Sequence, residues 1–174
     1  MKLGLIGTKL SHSFSKKYFE QKFEKLNLSD HSYSLFELKS IQDLPFFLEE
    51  NKGLTGFNVT FPFKESILSF LDEIDAEANK LGAVNTVSIS WKKNTPHLTG
   101  SNTDVFGFKN SIKPFLENSH ESALILGTGG AAKAVNHVLQ SLGITTLSVS
   151  RTPKEDEISY CEINEYVIKF HKLI

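Results

Sequence analysis

The sequence predicts an α/β fold in two lobes: a mixed-sheet lobe over residues 1–102, then an incomplete parallel unit over residues 103–174. Three observations carry this. Short β-rich apolar runs recur along the chain, amphipathic helical patterns fall between most of them, and one turn-rich insertion breaks the alternation. The runs cover residues 2–7, 32–38, 54–60, 84–91, 123–126 and 145–150. Each is rich in Val, Ile, Leu, Phe or Thr, as strands are. Apolar spacing of three and four, as in Phe19 and Phe23, predicts helices over 15–26, 41–50, 64–70, 76–81, 105–115 and 130–142. The insertion WKKNTP at 91–96 reads as a hairpin or meander at a sheet edge, which makes the first sheet mixed.

A chain of 174 residues that is 40% hydrophobic and 22% charged can bury a core, as one domain or two small ones. Most of its 14 phenylalanines are expected to pack in that core. The net charge of -1 supplies no broad positive field for nucleic acid or an anionic membrane, so any anion must be held locally and a small molecule is the expected partner. Cys161, the only cysteine, excludes an internal disulfide framework and a multi-cysteine metal site, and no metal is expected. The opening MKLGLIGTKLSHS has too short an apolar run for a signal peptide, and no segment approaches the roughly 20 apolar residues of a membrane span. A cytoplasmic location is the expectation. Arg151 is the only arginine among 19 basic residues.

The second lobe opens near residue 103, where GSNTDVFG leads into a helix. The segment ALILGTGGAAKAV follows. Gly127, Gly129 and Ala132 stand in GxGxxA spacing between an apolar strand and a helix. The first glycine permits a tight turn, the second lets the main chain approach a pyrophosphate, and the small third residue packs helix on strand. The amides at the helix start, Gly130 and Ala131, complete the anion site. An ordinary glycine-rich turn is the bland alternative. An NAD site places an acid about 20 residues on, at the end of the second strand. Here Ser150, Arg151 and Thr152 stand there, with Lys154 nearby. A guanidinium can hold a 2'-phosphate through paired hydrogen bonds, which favours NADP; a solvated surface arginine is the other reading.

In the first lobe, Ser13 and Ser15 sit two apart at the mouth of a helix, where two hydroxyls and unpaired amides suit a carboxylate, or simply cap the helix. GFNVTFPFKES puts Asn58, Thr60 and Lys64 around a strand end closed by Pro62. A lysine there is ordinarily a surface charge. GAVNT brings Asn85 and Thr86, and GSNTDVFG brings Asn102, Thr103 and Asp104, the last also a natural helix cap.

Taken in order, SHSFS, NVTFPFK, GAVNT, NTDVFG, GTGGAA and SRT resemble the shikimate dehydrogenase family from Lys2 to the end of the chain. The resemblance implies a shikimate-binding domain over 1–102 and the first part of a Rossmann-like NADP-binding domain over 103–174. It implies reversible reduction of 3-dehydroshikimate to shikimate by NADPH, a step toward chorismate and the aromatic amino acids. By the same resemblance Ser13 and Ser15 take the carboxylate, Thr60 and Asn85 lie around the ring hydroxyls, and Lys64 with Asp104 forms the catalytic pair. An ammonium at Lys64 can stabilise the developing alkoxide and deliver its proton. Relatives occur as monomers and homodimers, and either is open.

The sequence departs from the family pattern at the first proline region, where Leu10 follows Lys9, at Lys16, where the second proline is common, and at Ser150, where asparagine is usual. Serine can keep one hydrogen bond, so weaker discrimination with retained NADP preference is expected. The family's later nicotinamide-side segment and returning helices have no counterpart, and residues 172–174 read as the opening of a strand without continuation. C-terminal truncation, and an inactive fragment, are therefore expected. A binding-only shikimate or quinate relative, and a quinate/shikimate dehydrogenase of broader specificity, remain alternatives.

Overall fold

The run LGLIG is apolar at nearly every position, as in a strand buried on both faces, and it forms β1 (Lys2–Gly7) at the interior of a sheet. A computed structural model describes residues 1–174 in two units, Met1–Asn102 and Thr103–Ile174. In the first unit β1 pairs in parallel with β2 (Ser32–Glu37) and β3 (Leu54–Val59). Beyond β3 run antiparallel β5 (Thr86–Lys92) and β6 (Thr95–Ser101), and the two-residue β4 (Glu73–Ile74) closes the order β2-β1-β3-β5-β6-β4. The sheet is mixed, as the insertion predicts. That insertion is a hairpin whose two turn residues, Lys93 and Asn94, both have positive φ, the geometry that matches strand twist.

Alternate residues of β1 feed opposite faces. Leu5 joins Leu10 and Tyr33 under Phe19 and Phe23 of α1 (Ser15–Lys25). Ile6 joins the larger cluster with Leu44 and Phe47 of α2 (Leu44–Glu50), Val59, Ile67, Val84 and Val87. Sequence periodicity predicts one helix over 64–70; the chain instead makes a short α3 (Phe63–Ser66) that tightens into a 3-10 turn at Ile67–Phe70. Phe63 and Ile67 are the buried anchors of the two turns, and Leu68 and Phe70 pack partly against the same core. α4 (Ala76–Leu81) is capped by the Asp75 carboxylate on the Ala78 amide, and Gly82, at φ 68°, ends it and sends the chain back toward β5. Six phenylalanines, Phe14, Phe46, Phe61, Phe106, Phe115 and Phe170, are exposed, so the expectation of core packing holds for the other eight only. Phe61 is the clearest exception: it follows the end of β3, where the inward alternation of Phe57 and Val59 has stopped.

The second unit opens with α5 (Asp104–Ile112) and builds a parallel sheet β7-β8-β9 from Ser122–Leu126, Thr145–Ser150 and Glu157–Ser159. α6 (Gly130–Ser141) crosses from β7 to β8 and buries Ala134, Val138 and Leu139; Ala132 packs against the same core. β9 and α7 (Glu165–Phe170) lie where no periodic pattern predicts them. After α7 the chain returns to the other edge of β7: the Leu124 amide donates to the Leu173 carbonyl, and Leu173 bridges Ala123 in parallel. The strand order therefore reverses at β7.

Candidate active site

At the carboxyl end of β1 the chain must turn close to its neighbour. A Cβ on Gly7 would lie 2.7 Å from Thr60 Cγ2 and 2.8 Å from Leu10 Cδ2, so only glycine lets the Thr60 segment approach. The loop that follows is anchored by the Glu37 carboxylate, which accepts from the Leu10 amide at 2.7 Å. It ends in a tight turn in which Ser13 Oγ accepts from the Ser15 amide at 3.3 Å. Phe14, not a serine, occupies the cap position of α1 and makes no side-chain capping bond. Both serines are half-buried at the helix mouth, and Lys16 follows in the first helical turn. Its pair with Glu20 is exposed and adds little.

Thr60 is held from both sides of its peptide: its amide donates to the Ile6 carbonyl at 3.0 Å, and its carbonyl accepts from the Phe63 amide at 2.9 Å. The Phe61–Pro62 peptide is cis. One residue into α3, the Lys64 carbonyl accepts from the Val84 amide at 2.8 Å, which ties this turn to the loop carrying Asn85. That loop is fixed further by Asn102, whose amide donates to the Ala83 carbonyl, and by the Asn85 amide on the Ser101 carbonyl. Thr60 and Lys64 of one motif and Asn85 of another therefore converge on the carboxyl end of β3. Asp104 belongs to the second unit. It is the first residue of α5 rather than its cap; Thr103 holds the cap position. A carboxylate in that first turn lies at the favourable end of the helix dipole.

One group here has no sequence signal of its own. Tyr33, buried on β2, stacks on Phe19 with ring centroids 4.4 Å apart. Its hydroxyl donates to Asn58 Oδ1 at 2.8 Å and also meets the Ser15 side chain. Burial pushes its pKa up to about 12. A tyrosine in a β-rich run looks like packing, and only the three-dimensional register reveals its polar neighbours.

A separate cavity of about 390 Å³, lined by Leu44, Glu49, Asp72, Trp91 and Leu98 among others, shares no residue with this group. Its carboxylates would repel an acid.

In the second unit, Gly127 has φ 130°, a conformation that L side chains rarely adopt, and it makes the turn out of β7. Gly129, by contrast, is extended at φ -77°, and a Cβ there would meet nothing within 4 Å. Neither backbone nor packing demands a glycine at 129, and the space above the main chain there is open. α6 starts at the next residue with no acidic side chain in its first turn, so the free amides of Gly130 and Ala131 keep their attraction for an anion. At the end of β8, level with Gly127, Ser150 is buried and its hydroxyl accepts from the Thr152 amide at 3.2 Å. Ser150 therefore shapes the turn, while Arg151, Thr152 and Lys154 are exposed. All of this stands at carboxyl ends of parallel strands, where the order reverses, the place where open α/β sheets bind ligands. The open space, the acid-free helix start and the exposed arginine fit a dinucleotide carrying a 2'-phosphate.

Residues 5–87 match the family model of the shikimate dehydrogenase substrate binding domain. The chain is similar to a shikimate dehydrogenase (NADP(+)) of Oceanobacillus iheyensis, 40% identical over 157 residues that take in 86% of this chain and 55% of that protein. Among solved structures, shikimate 5-dehydrogenase from Thermus thermophilus in complex with NADP(H) and shikimate superimposes with a TM-score of 0.76 at 33% identity, covering 90% of this chain and 58% of that one. Quinate dehydrogenase from Corynebacterium glutamicum in complex with NAD gives 0.73 at 33% identity, covering 87% and 55%. The chain thus spans little more than half the length of these relatives. In its motifs, in the folds of its two units and over most of its own length, the chain is similar to shikimate dehydrogenases.

Proposed function

We propose that this chain supplies the substrate side and the adenosine-binding side of an NADP-dependent shikimate dehydrogenase, a cytoplasmic enzyme that interconverts 3-dehydroshikimate and shikimate. Residues 1–102 take the hydroxylated acid and residues 103–174 take the adenosine end of NADP. The observation that supports this most is the convergence of Thr60, Lys64 and Asn85 on one strand end, each tied there by main-chain hydrogen bonds. Ser13 and Ser15, joined in one turn, offer hydroxyls to the acid's carboxylate.

When bound, NADPH supplies the hydride. The chain's own residues do the rest: Lys64 holds its ammonium at the oxygen that gains negative charge and gives it a proton, and Asp104 shares the acid/base work. Arg151 favours NADP, because a guanidinium at the end of β8 attracts the 2'-phosphate where an acid would repel it. The NAD-bound quinate dehydrogenase has a comparable likeness, so this residue rather than the overall fold separates the two cofactors.

The test is titration of the chain with shikimate and with NADP separately, followed by NADPH formation with both present. Lys64→Met should lower turnover by about 100-fold to 10,000-fold while changing shikimate affinity far less. Near-normal turnover in that variant, or no shikimate binding by the chain itself, would overturn the assignment.

A further inference from the structure

The end of β2 holds the loop that carries Ser13 and Ser15. Gly7, the last residue of β1, pairs in register with Glu37, the last of β2, and the Leu38 amide donates to the Gly7 carbonyl at 2.9 Å. Beyond that pair the ladder stops, and a side chain spans the gap: Glu37 Oε1 accepts from the Leu10 amide at 2.7 Å. Leu10 passes the constraint on. Its carbonyl accepts from the Ser13 amide at 2.9 Å, which closes a turn over Leu10–Ser13, and Ser13 Oγ accepts from the Ser15 amide at 3.3 Å. Every donor in this series is a main-chain N–H, so each bond runs one way only. The Leu10 side chain is buried with Leu5 and Tyr33, so residue 10 is held at its amide, its carbonyl and its side chain.

We infer that Glu37 is a positioning residue for the acid site: its carboxylate fixes the Leu10 peptide and, through the turn that follows, sets where the Ser13 and Ser15 hydroxyls stand relative to the strand ends. This rests on the reading of the two serines as carboxylate-binding residues. Glu37 acts by reach and not by charge, because a carboxylate repels the acid that the serines would hold. What it contributes is an acceptor oxygen across the gap. Burial of the Leu10 side chain is non-directional and leaves the peptide free to rotate, whereas the hydrogen bond fixes its orientation. Water would satisfy the Leu10 amide without tying it to β2.

The test compares Glu37→Ala with Glu37→Gln. Both lose the same charge, and only Glu37→Gln keeps an acceptor oxygen at the same reach. Glu37 is exposed, so neither change touches the core. Glu37→Ala should weaken shikimate binding about tenfold, Glu37→Gln should stay within about twofold of the parent, and NADP binding should stay within about twofold in both. In the ligand-free chain, the Leu10 and Ser13 amides should exchange with solvent faster in Glu37→Ala and at the parent rate in Glu37→Gln. That measurement separates the two claims: a chain that binds no shikimate yet shows this exchange pattern keeps Glu37 as the tie of the turn and loses the acid reading of the serines. Glu37→Thr, a good strand residue too short for the reach, takes the place of Glu37→Ala if that variant does not fold. Equal shikimate affinities in Glu37→Ala and Glu37→Gln, or unchanged Leu10 exchange in Glu37→Ala, overturn the inference.

Discussion

Gly7→Ala tests whether the first unit is built around a close approach at the end of β1. The added methyl would sit 2.7 Å from Thr60 Cγ2, 2.8 Å from Leu10 Cδ2 and 3.3 Å from the Phe61 carbonyl oxygen. Carbon atoms pack best at about 3.5–4.0 Å, so two neighbours must withdraw by roughly 1 Å each. Leu10 is 2% exposed and has nowhere to go. The Thr60 main chain is held by hydrogen bonds on both sides, so its side chain must rotate and carry Oγ1 with it. Overpacking of this kind costs about 1–3 kcal/mol.

The chain's single tryptophan makes the measurement local. Trp91 lies on β5 and donates its indole N–H to the Leu54 carbonyl at 2.8 Å, so its fluorescence in urea reports the first unit. With a slope of about 1–2 kcal/mol per molar, a loss of about 2 kcal/mol lowers the midpoint by roughly 1–2 M. Shikimate affinity should fall in the same variant, and NADP affinity should not. A midpoint within about 0.3 M of the parent, with unchanged shikimate affinity, would refute the argument that Gly7 exists to admit Thr60.

Two other perturbations read single groups. Arg151→Ala should lower NADPH affinity by about 10-fold or more, the worth of a hydrogen bond to a charged group, and leave NADH affinity nearly unchanged; paired titrations decide it, and equal losses remove the arginine from the 2'-phosphate site. Tyr33 carries an alkaline signature. Its pKa is raised to about 12 in the folded chain from an ordinary value near 10, so its contribution is complete below pH 10 and is lost as pH rises toward 12. The parent should therefore lose up to about 2–3 kcal/mol more than Tyr33→Phe across that window, measured as Trp91-detected urea midpoints; parallel curves would contradict the raised value.

How far the fold was legible depends on the length of each element. Strands with five or more apolar or alternating residues, such as 2–7 and 145–150, announce themselves, and so do helices with i, i+4 aromatic pairs such as Phe19 and Phe23. β4 has two residues and β9 three, too few to show a period, and α7 buries none of its residues, so no apolar stripe marks it. The return of Leu173 to β7 depends on pairing across some 50 residues, which local pattern cannot register. The candidate site divides the same way. Ser13, Thr60, Lys64 and Asn85 stand in recognisable short motifs, whereas Tyr33 looks like one more apolar strand residue until Asn58 appears opposite its hydroxyl. Ser150 adds a role that the motif does not show: beside Arg151 it suggests a ligand contact, and its hydroxyl also accepts from the Thr152 amide and so shapes the turn.

The two glycines of the GTGG turn make the same distinction inside one motif. Gly127, at φ 130°, is required by the backbone, so Gly127→Ala should destabilise the second unit by about 1 kcal/mol or more whether or not a nucleotide binds. Gly129 is extended and a side chain there meets open space, so Gly129→Val should change stability by no more than about 1 kcal/mol, the scale of a cap substitution. Its isopropyl group would occupy the space above the first amides of α6. NADP affinity should therefore collapse while the unfolding transition of the second unit, followed by amide exchange in β7, stays where it was. If Gly129→Val binds NADP like the parent, the space above residue 129 holds no pyrophosphate. If instead it unfolds the unit, the glycine is there for the fold. Only loss of binding with the fold intact makes Gly129 a ligand residue.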